Sequence, residues 1–411
     1  MISETAREIL QKGYVCDHCL GRQFAQILSG TTNRERGHAI RTALALEYSI
    51  KPFPADKTNF SGFNFRKGKL EAKKETHLCR ICGGLFESLG KWAEQASKKL
   101  EPMEFSTFVV SSSLSRELVR KEEDLWEEVG IEYCEPMKSE LNRELGKLVA
   151  ERTGKIPDEK KPDVTIMLDL EKDSLAVHAN PIFIYGRYQK LVRGIPQTKW
   201  EMHRESVEEI IAKPFMEQSG GRSHSLHAAG REDIDARCLD WRPFVLEIES
   251  PRKRTFSLKK MEREIARTKK VRVSGLRPSA RSEVSAVKAL MPDKTYRALA
   301  SLGKHVAESE LRKLKKISVV KQQTPTRVAH RRADKVRIKR VKSVSWKALP
   351  RNRIEFIIRG EAGLYIKELV TGDNGRTTPS FSSVLSTPLK VEELDVIRIH
   401  LPVPRTRQGF K

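Results

Sequence analysis

Two pairs of cysteines are the most explicit chemical feature of this chain. Cys16 and Cys19 stand two residues apart, as do Cys79 and Cys82. Thiolates at that spacing can both turn toward one ion, and two such turns complete a tetrahedral sulfur shell suited to structural Zn2+. The pairs are separated by 59 residues (20–78), so an ion held by all four would join distant parts of the chain. A redox dithiol is the competing reading, but one pair would suffice for it. An iron–sulfur cluster is chemically possible as well. His18 offers a further donor inside the first pair, although four sulfurs already fill the shell. Cys134 and Cys238 read as small buried residues.

A second set of reactive side chains is spread through the carboxy-terminal half. The segment AAGREDIDARCLDWRPFVLEIESPRKR runs from Ala228 to Arg254 and places Asp233 after Gly230 and Arg231. The glycine lets backbone approach a ligand closely, and Arg231 can hold a phosphate or an acid. On these residues alone, a helix cap is the simpler role for Asp233. Tyr296 in KTYRALA, with Tyr365 and Lys367 in GLYIKELVTGDNGRTTPS, changes the balance. A carboxylate, an aromatic ring and a lysine are what is needed to act on an extruded nucleobase. The ring stacks, the carboxylate works at the sugar or ring, and the ammonium keeps the carboxylate ionised. No phosphate-binding glycine loop, dinucleotide fingerprint or Ser/His/Asp arrangement is found, and no organic cofactor is expected.

These groups need three regions to hold them. Residues 1–98 carry both cysteine pairs, a polar helix over Met1–Tyr14, the helical pattern Gly37–Tyr48 and a polar stretch over 59–74, which is little core without a metal staple. Residues 99–200 read as a compact α+β module: a strand at Phe105–Val110, a helix with Leu141, Leu145 and Leu148 on one face, then VTIMLDL and SLAVHANPIFIYG as paired strands. Their order resembles that of the THUMP RNA-binding module. Residues 201–411 alternate strands such as PFVLEIE, DKVRIKRVKSVSW and RIEFIIRG with short helices, predicting an α+β domain on a mixed or antiparallel sheet.

Charge narrows the partners. Among 411 residues, 78 Lys and Arg stand against 54 Asp and Glu, for a net charge of +24, and 38% hydrophobic content excludes a disordered or collagen-like chain. Residues 311–345 contain thirteen Lys and Arg with one acid, Asp334, and residues 251–281 contain twelve with Glu262 and Glu264. Runs of one sign inside a folded domain point to nucleic acid rather than to a merely solvated face. No apolar stretch approaches the roughly 18 residues of a membrane span, so a cytoplasmic protein without a membrane partner is expected.

The motifs GREDIDAR, EIESPRKR, the KTY segment, QQTPTRVAHRRAD (Gln322–Asp334) and GLYIKELVTGDNGRTTPS, with CDHCLGR and CRIC upstream, resemble the archaeal tRNA pseudouridine synthase family that acts on the TΨC arm at positions 54 and 55. The resemblance implies a zinc-stapled amino-terminal region, a THUMP-like tRNA-binding module that grips near the acceptor end, and a catalytic domain. Asp233 would then be the nucleophile or base, Tyr296 the ring stacked on the target uracil, and Lys367, beside Tyr365 in its motif, the partner of Asp233. Asp235 is the rival carboxylate, two residues late in the motif. Trp241 departs from the family, which usually has a glycine shortly before Arg-Pro-Phe, and would reshape the loop behind the site. The expected partner is tRNA, with no obligate protein partner. The alternative is a non-catalytic, zinc-containing tRNA- or rRNA-binding protein using the same basic surface.

Overall fold

The computed structural model describes residues 2–66, 77–331 and 333–402; the 67–74 part of the polar stretch and residue 332 lie outside these. The chain divides into two compact units, Met1–Asn180 and Pro181–Lys411. In the first, α1 (Ile2–Gln11), α2 (Asp17–Arg22), α3 (Asn33–Ile50) and α4 (Leu89–Leu100) precede an α/β layer. The start of α3 is fixed by Thr32, whose hydroxyl accepts from the Glu35 amide while the Glu35 carboxylate accepts from the Thr32 amide.

The α/β layer comprises β1 (Thr107–Ser113), α5 (Arg116–Val129), α6 (Met137–Thr153), β2 (Ile156–Pro157), β3 (Val164–Asp169) and β4 (Ser174–Ala179). The sheet order is β2-β1-β3-β4, with β1 parallel to both its neighbours and β3 antiparallel to β4. Helix α6 packs on β1 through Met137, Leu141, Leu145 and Val149, all fully buried. That row advances by four residues, which leaves Leu148, expected on the same face, only half buried.

The second unit is built on one ten-stranded mixed sheet. Its elements are β5 (Ile182–Lys190), α7 (Val207–Ser219), β6 (Ser223–Ala228), β7 (Ala236–Glu249), α8 (Leu258–Ala266), β8 (Val271–Ser279), α9 (Arg281–Ala289), β9 (Asp293–Leu302), α10 (Glu308–Leu311), β10 (Val319–Gln323), β11 (Val336–Leu349), β12 (Arg353–Gly360), α11 (Ile366–Thr371), β13 (Thr377–Thr378), α12 (Phe381–Val384) and β14 (Leu389–His400). The order is β13-β10-β11-β12-β9-β14-β7-β5-β8, with β6 also paired to β7. Among the described residues only β14 and β7 run parallel in it. The segment IFIYG, grouped with SLAVHA in the sequence reading, pairs instead with β7 and β8, while SLAVHA pairs with β3. Pro181 stands at the break, where its fixed backbone angle and missing amide suit the end of a strand.

Burial explains the strand types. In β12 every second residue is buried, including Ile354, Phe356 and Ile358, as in a sheet with one covered face. In β7 the stretch from Arg242 to Ile248 is buried without alternation, because α7 and α8 cover one side and α9 the other. The basic strand β11 is mostly exposed. Among the described residues no helix is long and apolar enough to cross a membrane.

Phe356 is fully buried and meets Phe381 edge-on at 5.0 Å between ring centroids. Phe356→Ala is expected to destabilise the second unit by about 3–5 kcal/mol, measured as the shift in its urea unfolding transition; a change below about 1 kcal/mol would mean that this core is not packed as described.

Candidate active site

The approach to Asp233 is a short loop between β6 and β7, four of whose carbonyls are held by buried side chains. Gly230 adopts φ +81°, a left-handed conformation suited to glycine. A side chain there would place its Cβ 3.2 Å from Arg242 Nη1, a tight contact, and 3.5 Å from Lys294 Nζ, an ordinary one, so the backbone angle is the stronger reason for glycine. Arg242 Nη1 donates to the Ala229 carbonyl at 2.9 Å, and Gln197 Nε2 donates to the Gly230 carbonyl at 3.0 Å. Lys190 Nζ donates to the carbonyls of Asp233 and Ile234 at 3.0 and 2.9 Å. Glu232 turns inward, 6% exposed, to an ion pair with fully buried Arg242 at 3.1 Å and to the Tyr188 hydroxyl at 3.0 and 3.1 Å. Alternation across Arg231, Glu232 and Asp233 therefore buries the middle side chain and leaves Asp233 only partly covered.

The chain leaves this loop into strand β7, so Asp233 caps no helix. Its carboxylate faces a cavity of about 570 Å³, lined also by Arg231, Tyr296, Tyr365 and Lys367. All five residues singled out in the sequence for this site are thus brought to one cavity. Sheet register accounts for part of this. Val396 of β14 pairs with both Cys238 of β7 and Tyr296 of β9, which sets Tyr296 across one strand from the start of β7. Burial pushes the Tyr296 phenol up to about 12, so it is protonated at neutral pH. Tyr365 stands immediately before α11, and its backbone is clasped by fully buried Gln322, which accepts from the Tyr365 amide and donates to its carbonyl, both at 2.9 Å.

The cations around Asp233 differ from expectation. Lys367 Nζ lies 3.8 Å from an Asp233 oxygen but 2.6 and 2.7 Å from the two oxygens of Asp235. The nearer partner of Asp233 is Arg327, whose Nη1 donates at 2.9 Å while its Nε donates to Glu368 at 2.7 Å. Burial pushes the Asp235 carboxyl up, but the hydrogen bond from Lys367, together with the charges of Lys367 and Arg327 and a backbone hydrogen bond, holds that carboxyl below its ordinary value. Asp235 is also the more exposed, with 67% of its side chain open against 30% for Asp233, and it does not line the cavity. Trp241 lies within β7, where the register with β5 shifts, rather than in the loop; its amide donates to the Asp240 carboxylate.

In the first unit, the four cysteines converge. Cys16 precedes α2, Cys19 lies within it, and Cys79 and Cys82 form a turn. Their sulfurs all lie within 4.8 Å of one another and are buried, a donor set that could hold a metal ion. Arg22, fully buried, donates to Cys19 Sγ at 3.2 Å, as an outer-shell donor to a thiolate would. His18 points elsewhere: its Nδ1 meets Glu140 at 2.8 Å and its ring stacks on Phe86 at 4.6 Å. Cys134 and Cys238 are buried and outside the cluster.

Comparison with known proteins agrees with this architecture. Residues 183–400 match the family model described as Pus10, C-terminal, and residues 92–169 match that of the Pus10 THUMP domain, archaeal. The chain is 39% identical to the tRNA pseudouridine synthase Pus10 of Pyrococcus furiosus, covering 97% of this chain and 98% of that one. Against the proteins of the same name from Methanothrix thermoacetophila and Methanopyrus kandleri, identity is 38% and 39%, over 96% and 95% of this chain and 94% and 97% of theirs. The chain belongs to the Pus10 family of tRNA pseudouridine synthases. It is therefore an enzyme rather than a passive RNA binder, and its first unit contains a THUMP domain. Among solved structures, a chain in a Cbf5-Nop10-Gar1 complex covers 52% of this synthase and 48% of its own length at 17% identity and a TM-score of 0.32, too slight a likeness to bear on the fold.

Several residues that build the site had no local sequence signal. Arg327 meets Asp233 across 94 positions, and Lys190 meets it across 43. Glu232 stands between Arg231 and Asp233, and its burial opposite Arg242 follows from the alternation of the loop. One signal was legible: Arg242 interrupts an apolar strand, and a charge there must find a buried partner. Glu232→Gln leaves Arg242 without its counter-charge and is expected to cost about 3 kcal/mol, read by denaturant unfolding of the purified enzyme; unaltered stability would show that the pair is not buried.

Proposed function

We propose that this synthase isomerises uridine to pseudouridine at positions 54 and 55 of the tRNA TΨC arm, with Asp233 as the nucleophile or base. The observation that carries the reading is Asp233 at the wall of a nucleoside-sized cavity, between Arg327 and Lys367 and on the same cavity as Tyr296. In the reaction the C1′–N1 bond breaks, the uracil turns, and C5 bonds to C1′; C5 loses a proton and N1 gains one. Redox equivalents and a group donor are not needed.

Each side chain then has a role. Arg327 holds the Asp233 carboxylate by a hydrogen bond at 2.9 Å, and Lys367 stands 3.8 Å from its other oxygen, which fixes the carboxylate at the cavity wall for either role. The Tyr296 ring stacks on the uracil after the nucleotide is flipped from the arm, at a cost of a few kcal/mol. Arg231 and the basic strand β11 supply phosphate contacts, and recognition follows tRNA shape more than base edges. The THUMP-containing unit gives a second hold on the tRNA near its acceptor end. In the division of labour we propose, the region carrying the four cysteines binds structural Zn2+, the THUMP-like module grips tRNA and the carboxy-terminal domain performs the chemistry. The setting we propose is the cytoplasm, where thiols stay reduced.

Position-resolved mapping of an unmodified tRNA transcript after incubation with the enzyme tests the reading. Wild type should form pseudouridine at 54 and 55. Asp233→Ala should bind tRNA with nearly unchanged affinity and form none, whereas Asp235→Ala should retain activity. Product from Asp233→Ala would remove it from the role. For the metal, the purified protein should contain one zinc per chain; stripping it should unfold the amino-terminal region, since about 10–16 kcal/mol of binding is coupled to folding in small zinc modules. Retained helical signal and protease resistance after zinc removal would contradict a structural ion.

A further inference from the structure

Strand β9 brings a second side chain to the cavity beside Tyr296. Residues two apart on a strand share a face, so Lys294 points the same way as Tyr296, and both line the cavity with Asp233. Lys294 is 8% exposed, and its ammonium makes no hydrogen bond or ion pair among the described residues. It is also crowded by like charge: Arg242 and Lys294 both lie against Gly230, where an added Cβ would be 3.2 Å from Arg242 Nη1 and 3.5 Å from Lys294 Nζ. The titratable groups facing it are Arg242 of β7 and Glu232 of the loop, with the Cys238 thiol of β7, which burial keeps neutral, and Asp293 of its own strand. Glu232 is already engaged by Arg242 and Tyr188, and Asp293 by Lys342 and Arg359. A buried, unpaired ammonium is costly unless a ligand completes it.

We infer that Lys294 is a further catalytic residue, whose ammonium hydrogen-bonds a carbonyl oxygen of the flipped uracil and stabilises the negative charge that develops on it. When the C1′–N1 bond breaks, its electron pair stays with N1 and spreads through the ring onto the two carbonyl oxygens. Lys294 donates a hydrogen bond to that charge without giving up its proton, and the charge is consumed when C5 attacks C1′. Tyr296 fixes the plane of the base, and Lys294, two residues before it, meets the edge. This assignment rests on the reading of the cavity around Asp233 as the catalytic site. A phosphate oxygen of the flipped nucleotide is the other anion that an ammonium here would take.

The chemistry sets a pH limit. Burial, and then the neighbouring Arg242, bring the Lys294 ammonium down to about 8 from an ordinary 10.5. The charged form is therefore present below about pH 8 and is lost as pH rises through that value.

The test uses the full-length enzyme with tRNA transcript. Lys294→Met keeps the volume and removes a buried charge, so it should fold with unreduced thermal stability. Its single-turnover rate at saturating tRNA should fall about 10²-fold with little change in Kd. Lys294→Arg, charged throughout, should keep its own kcat/KM between pH 7 and 9, where wild type declines. Asp233→Ala, assayed alongside, separates the failures: if it is inactive while Lys294→Met turns over normally, Lys294 alone is misassigned, and if it is active, the reading of the cavity has failed. A loss confined to Kd would place Lys294 on a phosphate and overturn the uracil contact. An alkaline limb identical in wild type and Lys294→Arg would overturn it too.

Discussion

The second unit depends on hydrogen bonds from buried cations to the backbone of one loop. Lys190 and Arg242 together hold the carbonyls of Ala229, Asp233 and Ile234, and Gln197 holds that of Gly230. A buried carbonyl without a donor costs about 1–3 kcal/mol, and a buried cation without acceptors costs more. Each requirement satisfies the other here. The result is a backbone with one arrangement in which Glu232 must point in and Asp233 must point toward the cavity. Catalytic geometry that depends on fractions of an ångström is better served by such a frame than by a loop held only at its ends.

The same positive charge that frames the loop continues outward. Arg327 and Lys367 flank the carboxylates, and Arg337 lies over the Tyr365 ring at 6.0 Å. On the exposed strand β11 the cations are only partly neutralised, as with Lys339 by Glu361 and Lys342 by Asp293. A polyanion approaching this side meets charge that has not been spent on internal pairs, and displaced counterions favour its binding. Attraction to the RNA and positioning of the Asp233 carboxylate thus draw on one arrangement of basic side chains.

Much of this was legible from residue types. RIEFIIRG, read as a strand, is β12, and the glycine, aspartate, tyrosine and lysine motifs led to one cavity. The two CxxC pairs identified the four-cysteine cluster because ligand chemistry constrains spacing more tightly than packing does. What could not be read was pairing between distant residues. Lys367 favours Asp235 over Asp233, and Arg327 takes the place expected of it, because helix α11 and the turn after β10 are set by contacts across the sheet. IFIYG joins the larger sheet for a similar reason: a strand apolar enough for either sheet is assigned by its partners. In α6, Leu148 and Val149 are adjacent apolar residues, and only the direction of packing decided which is buried.

The most direct test of the loop as the determinant of catalysis is the single-turnover rate of Lys190→Met with saturating tRNA, compared with its tRNA Kd. Among the described residues the Lys190 ammonium hydrogen-bonds only the carbonyls of Asp233 and Ile234 and does not line the cavity, so its loss should misplace the carboxylate without touching the RNA. The account predicts a rate lower by about 10²-fold at an unchanged Kd, in a protein that remains folded. A wild-type rate from folded Lys190→Met would contradict it.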